Sequence, residues 1–322
     1  MEGMCLEHKT ENNQQLQELT LPGAGDKVFF MPKLPQRILG KTGVSVPILG
    51  FGTAPIGNRR NAKDAAAIFH EAINLGVTYI DTAPDFAGYG RAQEYLGPVL
   101  KERRHEVFLV TKCFEPNGEK ALRLLERNLK ELQTDHTDLV FVHSLGHDTM
   151  DPSQVFSRRG VYPALLQAKA QGLARFVGVS GHNRPHRFVK AIQQYEWDVL
   201  MNATNFVDRH TYNFEEQVLP IAAKKKIGLV AMKVFGGQER SFFAGLSNRN
   251  VPTPYLDIAF RYALSLPQVA CSIIGMSTSE ELHQNVARAQ NFTPITPREL
   301  MRIAPIGQTL AKKWGAHFGA LA

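Results

Sequence analysis

Cysteine is scarce in this 322-residue chain, and the three present, Cys5, Cys113 and Cys271, stand far apart with no C-x-x-C pair. That spacing indicates neither a disulfide framework nor a zinc knuckle, and it fits a reducing compartment, the cytoplasm. No run approaches the roughly 20 apolar residues that a membrane helix requires. Met1 to His8 also lack the basic and apolar segments of a signal peptide. The expectation is a soluble protein, neither secreted nor membrane-spanning. Long blocks of one charge are missing too. The densest basic runs, Lys101-Glu102-Arg103-Arg104 and Lys224-Lys225-Lys226, abut apolar runs and read as solvated helix ends. The 37 basic and 30 acidic residues leave a formal charge of +7, which suits anionic small molecules as well as nucleic acid. With no basic block, the expected partner is a small molecule and not a nucleic acid.

What is present is a repeat. Residues 1–34 are polar, rich in Gln, Glu and Asn and broken by Pro and Gly, and read as a flexible tail before a domain at 35–322. Arg37 to Pro47 holds two short apolar stretches around a Gly-containing turn, the pattern of a hairpin. From there one unit recurs: a short apolar run, a polar residue at its end, a turn and an amphipathic helical stretch. The apolar runs are Ile48 to Thr53, Val77 to Asp81, Val107 to Lys112, Leu139 to His143, Phe176 to Ser180, Leu200 to Asn205, Ile227 to Lys233 and Cys271 to Gly275. Their ends lie about 25 to 42 residues apart, the length of a β-strand and helix unit. Seven helical stretches fall between or after them: 65–75, 120–132, 162–171, 187–194, 215–225, 255–264 and 279–289. Gly76, Gly172 and Gly228 read as left-handed helix caps. Eight such units predict a (β/α)8 TIM barrel with an N-terminal hairpin. A doubly wound open sheet is the rival, but no G-x-G-x-x-G follows the first strand.

In such a barrel the strands' C-terminal ends converge on one mouth. Here those ends carry Asp81, Lys112, His143, Ser180, Asn205 and Lys233. A carboxylate and an ammonium at the ends of apolar runs are costly to bury alone, so Asp81 and Lys112 are expected to pair.

These residues sit within strings that resemble aldo-keto reductases: Arg37-Ile38-Leu39-Gly40-Lys41-Thr42-Gly43, Gly50-Phe51-Gly52-Thr53, Asp81-Thr82-Ala83, Thr111-Lys112 and Gly178-Val179-Ser180. The resemblance spans roughly residues 36 to 290. It implies hydride transfer between a nicotinamide cofactor and an aldehyde, ketone or sugar-like carbonyl or alcohol. It gives Asp81, Lys112 and His143 three of the family's catalytic roles, and it places Gly52, Thr53, Ser180, Asn205, Met232 and Lys233 along the cofactor. Gly275, Ser277, Glu281 and Asn285 resemble the clamp on its adenosine phosphate, where a helix N-terminus offers amide donors. Glu281 stands where some relatives carry an Arg for a 2′-phosphate. The family's habit favours NADP and this carboxylate favours NAD, so both stay open. No metal is implied, and the tail from Trp314 to Ala322 has no cysteine for an iron–sulfur cluster.

The fourth catalytic role departs from the pattern. The family's proton-donating Tyr lies five residues after the Asp, where this chain has Phe86; counted back from Gly88-Tyr89-Gly90, the position falls on Ala87, in a loop one residue longer. Neither side chain donates a proton. Tyr89 is the candidate replacement, swung in by the longer Gly-flanked loop. Two other readings stay open: a cofactor-binding barrel with little turnover, and a metal-dependent hydrolase that would need His143, His147 and His182 as ligands.

Overall fold

A computed structural model of the chain describes residues 33–237 and 249–322. The expected polar tail therefore lies, except for its last two residues, outside the described residues, as does part of the loop from Gly237 to Pro252. The compact unit Leu34–Ala322 opens with a hairpin, β1 (Gln36–Ile38) antiparallel to β2 (Ser45–Pro47). Eight parallel strands follow: β3 (Leu49–Gly52), β4 (Tyr79–Asp81), β5 (Phe108–Cys113), β6 (Thr137–Val142), β7 (Ala174–Gly181), β8 (Val199–Ala203), β9 (Gly228–Met232) and β10 (Val269–Gly275). They close into a barrel in chain order, β10 pairing with β3. This is the (β/α)8 barrel that the repeat predicted.

Helices wrap the outside: α1 (Ala54–Arg59), α2 (Ala62–Asn74), α3 (Ala92–Arg103), α4 (Gly118–Glu131), α5 (Pro152–Val155), α6 (Val161–Ala170), α7 (Pro185–Gln194), α8 (Phe214–Gln217), α9 (Leu219–Lys224), α10 (Leu256–Ser265), α11 (Ser279–Gln290) and α12 (Pro297–Trp314). Side-chain caps start several of them. Asn61 accepts the Asp64 amide, Asn117 that of Lys120 and Thr278 that of Glu281, while Thr296 and Glu299 form a reciprocal capping box. Four helices escape the periodic pattern, two of them the short α1 and α5. In α3 an internal Pro98 and a weak amphipathic stripe hide the helix, and α12 lies past the last repeat. The stretch expected at 215–225 is two short helices that meet at Val218.

Gly76 and Gly172 adopt the left-handed conformation, at φ +83° and +80°. Gly228 does not; Lys226 takes that role at φ +55°, and Gly228 starts β9. Its missing side chain has another use, since a Cβ there would sit 2.8 Å from the Leu39 side chain. Leu39 and Val46 of the hairpin are fully buried with Tyr79, Phe141 and Cys271 inside the barrel, so the hairpin plugs the N-terminal end. The Arg37 guanidinium ties it down by donating to the Leu264 and Val269 carbonyls at 2.7 and 2.6 Å. Closing this end leaves the opposite mouth as the way in. Leu39→Ala is expected to cost about 2–5 kcal/mol of stability, read as a lower urea midpoint at unchanged slope.

Candidate active site

The barrel brings Asp81 at the end of β4 beside Lys112 on β5, the strands being paired with Asp81 opposite Val110. Lys112 Nζ donates to Asp81 Oδ2 at 2.7 Å, to the Thr82 carbonyl at 2.9 Å and to the Tyr89 hydroxyl at 2.9 Å. Tyr89 donates in turn to Asp81 Oδ2 at 3.2 Å, and the ammonium lies 4.5 Å from its ring centroid. An ammonium has three donors, and each has an acceptor here. Phe86, at the position that the resemblance gives to the donor, points away and is 48% exposed.

Burial lowers the affinity of Lys112 for its proton, against the pull of Asp81. Burial, and then the Asp81 charge and hydrogen bond, push the Tyr89 phenol well above its ordinary value. At neutral pH Tyr89 therefore carries its proton, and the ammonium beside it favours the phenolate that would form on its loss. His143 follows β6. Its burial, with Lys112 nearby, holds its pKa well below the ordinary range, so it is a neutral imidazole packed edge-on against Phe114.

Asp81, Tyr89, Lys112 and His143 line one cleft of about 430 Å³ with Gly52, Ser180, Met232, Lys233 and Gly275. Lys233 holds a left-handed backbone at φ +55°, fixed by the Gly236 amide and the Asn205 side chain on its carbonyl at 2.7 and 2.9 Å. The expected Asn205 does not line the cleft. Beta-strand β8 ends at Ala203, and the Asn205 amide turns back onto Lys233 O, Asp208 Oδ2 and the Val207 and Asp208 amides. Thr53 lies buried behind the wall, its amide on the Asp81 carbonyl. Ser277, Glu281 and Asn285 form a separate cluster. Glu281 Oε2 accepts the Ser277 amide at 2.6 Å and its hydroxyl at 3.1 Å, and Asn285 bonds the Glu281 carbonyl.

Other lining residues carried no signal in the sequence reading. Arg59 and Pro55 belong to α1, whose Ala-Pro start directly after the first strand was a readable helix signal. His182, named above only for the metal reading, lines the cleft, whereas Asn183 bonds the Ala320 carbonyl at 3.2 Å. Trp314 and Phe318 are buried packing residues, Phe318 against His182. Among the described residues no group of three His, Cys, Asp or Glu is placed to hold a metal, so the ligand set of the hydrolase reading is not assembled there. Nor is any described helix long and apolar enough to cross a membrane.

The chain is similar to known proteins. The model of the aldo/keto reductase family matches residues 48–253. L-galactose dehydrogenase from Arabidopsis thaliana is 32% identical over 80% of this chain and 88% of its own length. Pyridoxal 4-dehydrogenase from Microbacterium luteolum is 24% identical over 80% and 94%. The fold matches that of the aldo-keto reductase AKR11C1 from Bacillus halodurans with a TM-score of 0.68 at 24% identity, over 86% of this chain and 96% of that one. With the family model covering most of the barrel and a relative above 30% identity along most of the chain, this protein belongs to the aldo/keto reductase family of oxidoreductases.

Proposed function

We propose that the chain exchanges hydride between a nicotinamide dinucleotide and a small carbonyl or alcohol, with Tyr89 as proton donor and acceptor. The observation that carries this reading is the Tyr89 hydroxyl, 2.9 Å from Lys112 Nζ inside the cleft. The cleft walls suit a planar ring. Gly52 and Gly275 face each other across β3 and β10 without side chains, and a Cβ on Gly275 would meet Pro55 at 2.8 Å. Asp81 Oδ1, on a side chain that lines the cleft, is buried and lacks a hydrogen-bond partner among the described residues, an atom of the kind that a ribose hydroxyl or an amide satisfies. Gly52, Ser180 and Met232 would hold the nicotinamide end. The cofactor, when bound, supplies or accepts the hydride.

The protein's own part is the proton. In reduction Tyr89 gives its proton to the carbonyl oxygen, and Lys112 stabilises the phenolate left behind. In oxidation the phenolate takes the alcohol proton back. Asp81 holds the ammonium in place, and the neutral His143 offers one N–H to the substrate oxygen without adding charge. The names of the relatives, one a sugar dehydrogenase and one a pyridoxal dehydrogenase, favour a sugar-like or aldehyde substrate. The wide cysteine spacing favours a reducing compartment.

The choice of cofactor rests on Glu281. Its carboxylate already occupies the Ser277 amide and hydroxyl, so a 2′-phosphate at this turn would have to displace a like charge. NAD is the favoured cofactor.

Tyr89→Phe should lower kcat by at least about 100-fold while nicotinamide fluorescence titration shows unchanged cofactor binding. Because the phenol is shifted up, alcohol oxidation by the wild type should rise with pH through the alkaline range, and this dependence should vanish in the variant. Equal turnover of the two proteins eliminates Tyr89 as the acid; failure of both NADH and NADPH to bind eliminates the whole reading. Glu281→Arg should move the ratio of NADPH to NADH affinity roughly ten- to hundredfold toward NADPH, measured by the same titration. An unmoved ratio removes Glu281 from cofactor choice.

A further inference from the structure

Tyr89 sits on a connection from β4 to α3, and a loop of this length does not by itself hold a hydroxyl to hydrogen-bond precision. Hydride and proton transfer need that precision. Helix α4, on the outside of the barrel, grips the connection on both sides of Tyr89. Before it, Arg127 donates to Asp85 at 3.0 Å. After it, the buried Gln93 at the start of α3 donates from one amide nitrogen to Asn128 Oδ1 at 3.1 Å and to Glu131 Oε2 at 2.9 Å. The other end of the Gln93 amide accepts the Thr111 hydroxyl at 2.7 Å, one residue from Lys112. Asn128 completes the circuit by donating to the Lys112 carbonyl at 3.1 Å and to Thr111 Oγ1 at 3.2 Å.

We propose that Gln93 and Asn128 are positioning residues: they refer the Tyr89 loop and the Lys112 backbone to one helix, so that phenol and ammonium keep a fixed separation. The inference rests on Tyr89 being the proton donor. Burial decides which contacts carry it. The Arg127 pair is exposed on both sides and exposed pairs hold little, whereas Gln93, Asn128 and Thr111 are buried, where an unmet hydrogen bond is expensive. The tip of the loop rests separately on α1, with Asn58 Nδ2 donating to the Gly88 carbonyl at 2.9 Å and the Arg91 amide to the Gly57 carbonyl at 3.2 Å. Neither contact reaches β5; beyond the direct bonds to Lys112 Nζ, the side-chain link from the loop's end to the backbone of Lys112 runs through Gln93 and Asn128. Its chemistry is specific to an amide. Gln93 accepts from a hydroxyl on one side and donates to a carbonyl and a carboxylate on the other, and a Glu at this position would set two carboxylates against each other.

The test compares wild type with Gln93→Glu, Asn128→Ala and the exposed Arg127→Ala, using 4-nitrobenzaldehyde and NADH. Each protein is also labelled with 3-fluorotyrosine, the position-89 resonance being assigned by its loss in Tyr89→Phe. We expect Gln93→Glu to lose at least about tenfold in kcat with cofactor affinity within about twofold. Activity should recover as pH falls and the introduced carboxyl regains a proton to donate. Asn128→Ala should show the same loss without the pH recovery. Arg127→Ala, which removes only exposed pairs, should stay within about twofold of wild type. The fluorine resonance of position 89 should move in Gln93→Glu and in Asn128→Ala. Unchanged kcat and an unmoved resonance overturn the clamp, as does a loss in Gln93→Glu that follows melting temperature and does not recover at low pH. A moved resonance in a protein whose wild type turns over no carbonyl leaves the clamp standing and rejects the hydride-transfer reading instead.

Discussion

The Lys112 ammonium is the constraint around which the mouth of this barrel is built. Burying an ammonium beside a carboxylate costs several kcal/mol per ion unless every donor is met. Lys112 meets all three of its donors, with Asp81, the Thr82 carbonyl and the Tyr89 hydroxyl. Each acceptor imposes something on the fold. Asp81 must end the strand next to β5. The Thr82 carbonyl must turn inward, which its own amide secures by bonding Val110 O at 3.0 Å. The third acceptor must come from outside the sheet, and the loop after β4 delivers it. Tyr89 thus completes the solvation of a buried charge and, by the same contact, gains the neighbour that tunes its proton.

The two ends of the barrel use strained backbone differently. At the plugged end Gln133, Lys226 and Gln268 are left-handed where a helix or turn leads into a strand, positions at which a glycine would serve as well. At the open end Ser144, Arg184 and Lys233 are left-handed soon after β6, β7 and β9. Such residues persist only where surrounding bonds over-determine them. Lys233 shows how: its carbonyl takes two donors, one of them from Asn205, whose side chain also bonds Asp208 and the Val207 amide. Asp208 also holds the buried His317 at 2.8 Å. The C-terminal segment is therefore tied, through two side chains, to the backbone of a residue lining the cleft.

Much of this was legible in the sequence because barrel periodicity and burial speak the same language. Polar residues at the ends of apolar runs foretold Asp81, Lys112 and His143 in one cleft, and the hairpin and strand order followed from the repeat. Asn205 misled because an apolar run does not mark where pairing stops; β8 ends two residues earlier and the side chain turns back. Gly228 misled because a glycine before a strand has two uses, a left-handed turn or room for a neighbour, and only packing against Leu39 separates them. Gln93 and Asn128 were silent for another reason. A polar residue on an amphipathic helix reads as solvated unless its partners, here 16 to 38 residues away, are known.

The path of the Tyr89 loop is set by local geometry. Asp85 to Ala87 form a single 3₁₀ turn, which winds three residues into a short rise and throws Phe86 outward. Gly88 at φ +86° and Gly90 at φ +54° then reverse the chain on either side of Tyr89. Gly57 allows the reversed segment to lie flat on α1, since a Cβ there would stand 2.0 Å from the Tyr89 carbonyl. The loop thus places a phenol on the Lys112 ammonium. What the buried ammonium demands is an oxygen at hydrogen-bond distance, and a loop with two glycines and an anchored helix start meets that demand with a side chain from outside the sheet.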